Sequence, residues 1–151
     1  MDIKQVYETV CAALDERKWT YNKDEENNVI YLGVNGENMP LRLVIIVDAN
    51  RQLVRIMSPL PFKIDEDKRM DAALAVCVAN YGIVDGSFDY DISDGAISFR
   101  LTAGFCGCEV TKSLMQYMIQ CTCVSVDNYN HRFLALNKGV IGIAEFIQQE
   151  S

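Results

Sequence analysis

Between residues 19 and 57 the chain has no room for a helix. Strand-forming runs at 19–21, 29–34, 41–47 and 53–57 follow one another through connections of five to seven residues. Parallel strands need crossovers of about a dozen residues or more, usually helical. A stretch built this way folds as an antiparallel meander. Asn35-Gly36 strengthens the reading as a hairpin signal, because both residues tolerate positive φ. The run 41–47 is apolar apart from Arg42 and reads as a central strand buried on both faces. Pro59 and Pro61 are expected to stop the sheet, since neither has an N–H for a ladder.

Helical periodicity brackets this meander. Ile3, Val6, Tyr7, Val10 and Leu14 recur in steps of three and four, with Asp2 placed as N-cap, which predicts a helix over 2–17. Asp65-Glu66-Asp67 opens a second helix, its negative charge suiting the dipole. Met70, Ala73, Leu74, Cys77 and Val78 are expected to form its apolar face, with Gly82 as its end, and Ala72, Ala73, Ala75 and Ala79 would allow close packing on the sheet. A second hairpin follows, in which Phe88, Tyr90 and Ile92 alternate with Asp89 and Asp91. Ser93-Asp94-Gly95 turns the chain, and Ile97, Phe99 and Leu101 alternate on the return.

Thr111 then caps a long helix on which Met115, Ile119, Thr122, Val126, Tyr129, Phe133 and Leu136 form one stripe, ending at Asn137-Lys138-Gly139. Unbroken, it would run roughly 39 Å. It is expected to bend, to break near Asp127-Asn128, or to overhang and pack on a second copy. Residues 141–148 read as a short closing helix. The fold class that results is α+β, one domain over 1–151, an antiparallel sheet with helices on one face in the order α-β-β-β-(β)-α-β-β-α.

Charge narrows the partners. The formal balance of 14 basic against 21 acidic residues gives −7, with no basic cluster. That excludes the counterion-releasing surface of a nucleic-acid binder and disfavours anionic membranes. No leader-like or spanning apolar run is visible, so a cytoplasmic protein with reduced thiols is expected.

Candidate chemistry fails on spacing. Cys106-Gly-Cys108 and Cys121-Thr-Cys123 suggest a four-thiolate zinc site, but a two-residue step within a helix turns about 200° and separates the sulfurs. Small core residues are the expected role for these cysteines, with oxidation of Cys106 against Cys108 a minor alternative. The acidic hairpin beginning at Asp89 misses a calcium loop's register, having Asp94 and Arg100 where Gly and Glu belong. His131 is the only histidine, and Gly33 and Gly36 lack the helix that a phosphate loop needs. No catalytic, cofactor-binding or metal-binding residue is assigned, and no cofactor is expected.

The order of elements, with residues spread along the chain, resembles the YbjN family of proposed bacterial sensory transduction regulators and its type III secretion chaperone-like fold. The resemblance rests on Trp19 with Tyr21, the Asn-Gly turn before Leu41-Arg42-Leu43, Arg55-Ile56-Met57-Ser58-Pro59, and Asp67-Lys68-Arg69 leading to Ala79-Asn80. Gly86-Ser87-Phe88, Asp94-Gly95-Ala96-Ile97, and Asp127-Asn128-Tyr129 leading to Gly139 complete it. It implies a small, acidic, often dimeric protein that binds other proteins instead of catalysing a reaction, and it transfers no functional residue.

The expected function is therefore a non-enzymatic interaction module, regulatory or chaperone-like and homodimeric. The expected interaction surface lies on the third helix at Met115, Met118, Ile119, Tyr129 and Phe133; the competing reading packs that arc on the sheet. The alternative function is a small-ligand sensor or small enzyme with a pocket between sheet and helices. A redox or metal protein, or a neutralising partner of a basic toxin, follows further behind.

Overall fold

Asp2 starts the chain's first helix with a full capping box: its carboxylate accepts from Gln5 N, and the Gln5 side chain accepts from Asp2 N. The computed structural model describes residues 1–150. Helix α1 (Ile3–Glu16) buries Val6, Tyr7, Val10 and Leu14, the periodic stripe. At its end Lys18 takes positive φ and Trp19 N donates back to Leu14 O, so the chain folds onto the helix. Trp19 and Tyr21 consequently pack on the core as an extended arm, with the Tyr21 hydroxyl on Asp15, and do not form the expected strand. The first strand, β1, begins just after them at Asn22–Asp24.

Strands β2 (Val29–Asn35), β3 (Pro40–Asp48) and β4 (Leu53–Lys63) then form the meander. Asn35 pairs with Pro40, so residues 36–39 make a four-residue loop in place of a two-residue turn. The reason lies in the third helix. Asp127 accepts from Glu37 N, and a Cβ on Gly36 would press on that carboxylate and on the Met39 carbonyl. The loop is built to dock on the helix.

Strands β5 (Ser87–Asp91) and β6 (Ala96–Gly104) complete a six-stranded antiparallel sheet in the order β1-β2-β3-β4-β6-β5. The prolines do not end β4. Its ladder with β6 continues through Pro59 opposite Ser98, while its ladder with β3 stops at Val44–Met57. A proline in a central strand must turn its missing N–H towards a neighbour that does without it. Here that neighbour is β3, and the two strands part beyond Met57, leaving a cleft of about 370 Å³ between Pro40 and Arg42 on one side and Pro59, Pro61 and Phe62 on the other.

All four helices cover one face of the sheet: α2 (Arg69–Gly82), preceded by a 3-10 turn at Glu66–Lys68, α3 (Lys112–Asn137) and α4 (Ile143–Gln149) join α1. The covered face holds Ile30, Leu43, Ile45, Ile56, Phe99 and Leu101. Leu41, Leu43, Ile45 and Val47 of β3 are buried, but Val44 and Ile46 on its other side are only half-buried, because no helix layer lies over them. The central strand is thus buried on one face, not two.

Helix α3 is one continuous rod, neither broken at Asp127-Asn128 nor overhanging. Its buried residues run from Met115 to Asn137, against α1 on one flank and α2 with α4 on the other. Helix α2 is tied to the edge strand by Asn80, whose Oδ1 accepts from Phe88 N at 2.7 Å and whose Nδ2 donates to Phe88 O at 3.0 Å. One side chain here satisfies both backbone groups of a strand residue. Asn80→Ala orphans both, and is expected to cost about 2 kcal/mol, read as a lower urea midpoint at unchanged m-value.

Candidate interaction surfaces

The arc on α3 expected to meet another chain faces inward. Met115, Met118, Ile119 and Phe133 are buried in the core. Tyr129 is half-buried; it stacks on Phe133 at 5.9 Å, and its hydroxyl donates to Glu150. Burial, reinforced by the Glu150 carboxylate, pushes that phenol up to about 12. The apolar stripe was the right signal for burial, but the chain's own sheet and helices cover it. Arg132 completes the arrangement by lying over the rings of Tyr129 and Phe146 and pairing with Glu150, which fastens α4 to α3.

The cysteines divide. Cys11 is buried and Cys121 and Cys123 are half-buried, whereas Cys77, Cys106 and Cys108 are exposed, so core packing does not account for these last three. Cys106 and Cys108 sit in the loop after β6, where the backbone leaves the core. Burial, with Asp127 nearby, pushes the Cys123 thiol up to about 11. Ellman's reagent at pH 8 is expected to label Cys106 and Cys108 in the folded protein within minutes, and Cys123 only after unfolding. Peptide mapping of the labelled thiols checks this; early labelling of Cys123 would show that its pocket opens.

Among the described residues, no three His, Cys, Asp or Glu side chains converge as a metal set would. His131 is exposed and its Nδ1 lies 3.2 Å from Asn38 Nδ2, a contact between α3 and the β2–β3 loop. A groove of about 270 Å³ runs between α1, β2 and α3, lined by Leu14, Arg17, Trp19, Val34, Ile119 and Cys123. Its walls are mainly apolar, and no acid–base pair faces into it.

The surface instead offers two apolar areas on opposite sides of the molecule. The first is α2. Ala72, Ala75, Val76 and Ala79 turn inward, and small side chains let the helix lie close to its neighbours. The larger members of the expected apolar face, Met70, Leu74 and Cys77, point to solvent, followed by Tyr81. Met70 is 72% exposed, Leu74 54% and Tyr81 95%. From Met70 to Tyr81 the exposed positions are Met70, Leu74, Cys77 and Tyr81, none of them charged, and fully exposed Val84 extends the line. Within the helix their spacing of four, three and four is that of a helix seam, and Val84 lies just past its end. A helix apolar on both sides is ordinarily buried on both. The expected close packing of the alanines holds at Ala72, Ala75 and Ala79, whereas Met70, Leu74 and Cys77 of the expected apolar face are exposed.

The second area is the uncovered face of the sheet. Tyr31, Val44 and Met57 lie in one cross-strand row, and Val29, Ile46 and Arg55 in the next. Arg42 stands beside them at the cleft.

Residues 7–135 match the model of the YbjN family, described as "Putative bacterial sensory transduction regulator". No curated protein matches the sequence. Among solved structures, YbjN from E. coli is similar with a TM-score of 0.61 and 9% identity, covering 88% of this chain and 92% of that one. A chain of the ExsC–ExsE complex is similar with a TM-score of 0.61 and 10% identity, covering 87% of this chain and 96% of that one. At these identities the likeness is one of fold, the type III secretion chaperone-like arrangement.

Proposed function

The chain belongs to the YbjN family, and from that premise we propose that it is a non-enzymatic protein-interaction module with a regulatory or chaperone-like role, acting as a homodimer joined through α2. One observation carries this reading: the exposed side chains of α2 from Met70 to Tyr81 are apolar without exception. A contiguous apolar surface of this kind marks an interface more often than it is left in water.

A second copy is the occupant that the seam itself favours. A two-fold interface must be complementary to itself. Antiparallel pairing sets Met70 opposite the partner's Tyr81 and Leu74 opposite the partner's Cys77, long side chains against long and medium against small. No charge on the seam meets its own like across the axis, although the chain as a whole carries −7. The ExsC–ExsE neighbour, a complex between two proteins, supports an interaction role for such a fold.

Light scattering tests the dimer: two chains of 17.0 kDa give 34 kDa, and a 17.0 kDa particle at high concentration would sink this reading. Chemical cross-linking tests the face. With Cys106 and Cys108 replaced by serine, a bismaleimide with an arm of about 10 Å, near the interaxial distance of packed helices, is expected to join two chains through Cys77. Cross-linking that requires Cys121 instead would move the interface off α2.

A further inference from the structure

On the uncovered sheet face Asp24, Asp48, Asp89 and Asp91 stand at the margins, while Arg42 and Arg55 flank the centre. That centre is the row Tyr31–Val44–Met57, with Tyr31 42% exposed. On one side of that row stands Arg42, exposed and in no salt bridge among the described residues. On the other stands Arg55, half-buried between Ile46 and Thr102 on the neighbouring strands. The Nε of Arg55 is buried and has no hydrogen-bond partner among the described residues. Buried guanidinium donors are ordinarily matched by acceptors. Asp48, diagonal to Arg55 across the β3–β4 ladder, is engaged by Arg51, and Asp89 on the edge strand by Arg100.

The sheet fixes how far apart these two cations are. Arg55 pairs with Ile46, and Ile46 is four residues from Arg42 along β3. At about 3.3 Å per residue and one strand spacing of about 4.8 Å, the two lie roughly 14 Å apart. An extended segment laid along β3 repeats side-chain direction every second residue. Residues i and i+4 of that segment then reach Arg42 and Arg55, and residue i+2 falls on Tyr31, Val44 and Met57. The cleft where β3 and β4 part, beside Pro40 and Pro59, leaves room for the segment to leave the face past Arg42.

We propose that this face binds an extended segment of a partner protein with the pattern acid–x–apolar–x–acid, its carboxylates on Arg42 and Arg55 and its apolar residue on the Tyr31–Val44–Met57 row. The inference rests on the reading of this chain as a protein-binding module and adds the chemistry of what it binds. It uses the side of the sheet opposite the helices, so a dimer joined through α2 keeps both copies of the face free.

The probe is a pair of fluorescein-labelled twelve-residue peptides of serine and glutamine. One carries Glu-Ser-Leu-Ser-Glu at its centre, the other Gln-Ser-Leu-Ser-Gln. Fluorescence polarisation with the full chain is expected to show the carboxylate peptide binding at least tenfold more tightly than the amide peptide, with the difference shrinking in 0.5 M salt. R42E, at an exposed position, is expected to reduce that preference to less than twofold and to prefer peptides that keep one glutamate for Arg55 and carry lysine at the other end, Lys-Ser-Leu-Ser-Glu or Glu-Ser-Leu-Ser-Lys. Equal binding of both peptides, or of neither, by the wild-type chain overturns the inference. So does displacement of the carboxylate peptide by a short oligouridylate, which would make the face a phosphate site, and so does loss of binding in L74D/Y81D with R42E unaffected, which would place the peptide on α2. A chain that scatters as a dimer yet binds neither peptide loses this inference alone; a monomer that prefers the carboxylate peptide keeps it and loses the α2 dimer.

Discussion

Replacing Leu74 and Tyr81 together with aspartate is expected to convert a 34 kDa particle, two chains of 17.0 kDa, into single chains while leaving each chain folded. The two halves of that expectation have separate physical grounds. Leu74 and Tyr81 are 54% and 95% exposed and contribute little to the chain's own core, so a carboxylate at either position remains in water in the monomer. In the pair, every substitution appears twice. Fully burying an exposed leucine is worth about 1.5–3 kcal/mol, and about half of Leu74 is left to bury at the seam, so over the two copies L74D alone removes roughly 1.5–3 kcal/mol from the dimer, about tenfold to a hundredfold in its dissociation constant. The carboxylates would also have to leave water for an apolar seam, which adds to the loss. Light scattering across a hundredfold range of concentration reads the mass, and thermal melting of the same samples reads the fold. A wild-type dimer unaffected by L74D/Y81D places the interface elsewhere. A variant that unfolds at low temperature shows instead that α2 needs these side chains for its own packing.

The sequence made some of this architecture legible and hid the rest for identifiable reasons. Periodicity located α1, the β5–β6 hairpin and the whole of α3, because each has a strong single pattern: steps of three and four in the helices, alternation at Phe88 and Tyr90 and again from Ile97 to Leu101 in the hairpin, of whose expected apolar residues only Ile92, past the end of β5, is exposed. The fold class and the element order followed from the short connections, since no crossover fits between residues 19 and 57.

Errors arose where one local signal has two physical outcomes. A proline can end a strand or merely deny one of its two ladders. Pro59 and Pro61 did the second, and the Ser98 side of β4 continued past them. An Asn-Gly pair can close a two-residue turn or sit in a longer loop. Asp127, about ninety residues away, claimed the Glu37 N–H and settled the matter. Two apolar stripes on one helix leave open which is buried. On α2 the alanine side faces inward, as its small side chains suggest, and Met70 and Leu74 of the expected apolar face are the candidate interface. The opposite inversion occurred on α3, where the expected interface became core. Both reversals have one cause. Hydrophobicity along a helix records that a face is covered, but whether the cover comes from the same chain depends on neighbours that are distant in sequence, here α1, α4 and the sheet.

Phe133 separates those two kinds of cover most sharply. It was expected on an interaction surface, and the structure seals it completely. Its ring lies 5.2 Å from that of Phe88 in an edge-on arrangement and stacks at 5.6 Å on Phe146 of α4. Phe88 in turn meets Phe99 at 5.2 Å. One ring therefore links α3 to the β5–β6 edge of the sheet and to the closing helix. Phe133→Ala removes this ring from a site whose neighbours are held by strands and by Arg132 and cannot close in fully, so the loss includes a cavity as well as the transfer of the ring, about 3–5 kcal/mol in total. For a chain of this length each kcal/mol lowers the melting temperature by about 2–4 °C, so a fall of roughly 6–20 °C is expected. The dimer provides the discriminating readout. If Phe133 is core, F133A melts early, yet its folded fraction at low temperature still scatters as two chains. If Phe133 instead contacts a partner, F133A lowers the mass and leaves the melting temperature of the monomer where it was. L74D/Y81D is expected to show the reverse pattern, lower mass with little change in monomer melting. Two variants with opposite signatures thus assign α3 to the fold and α2 to the partner, and the assignment fails if both move the same observable.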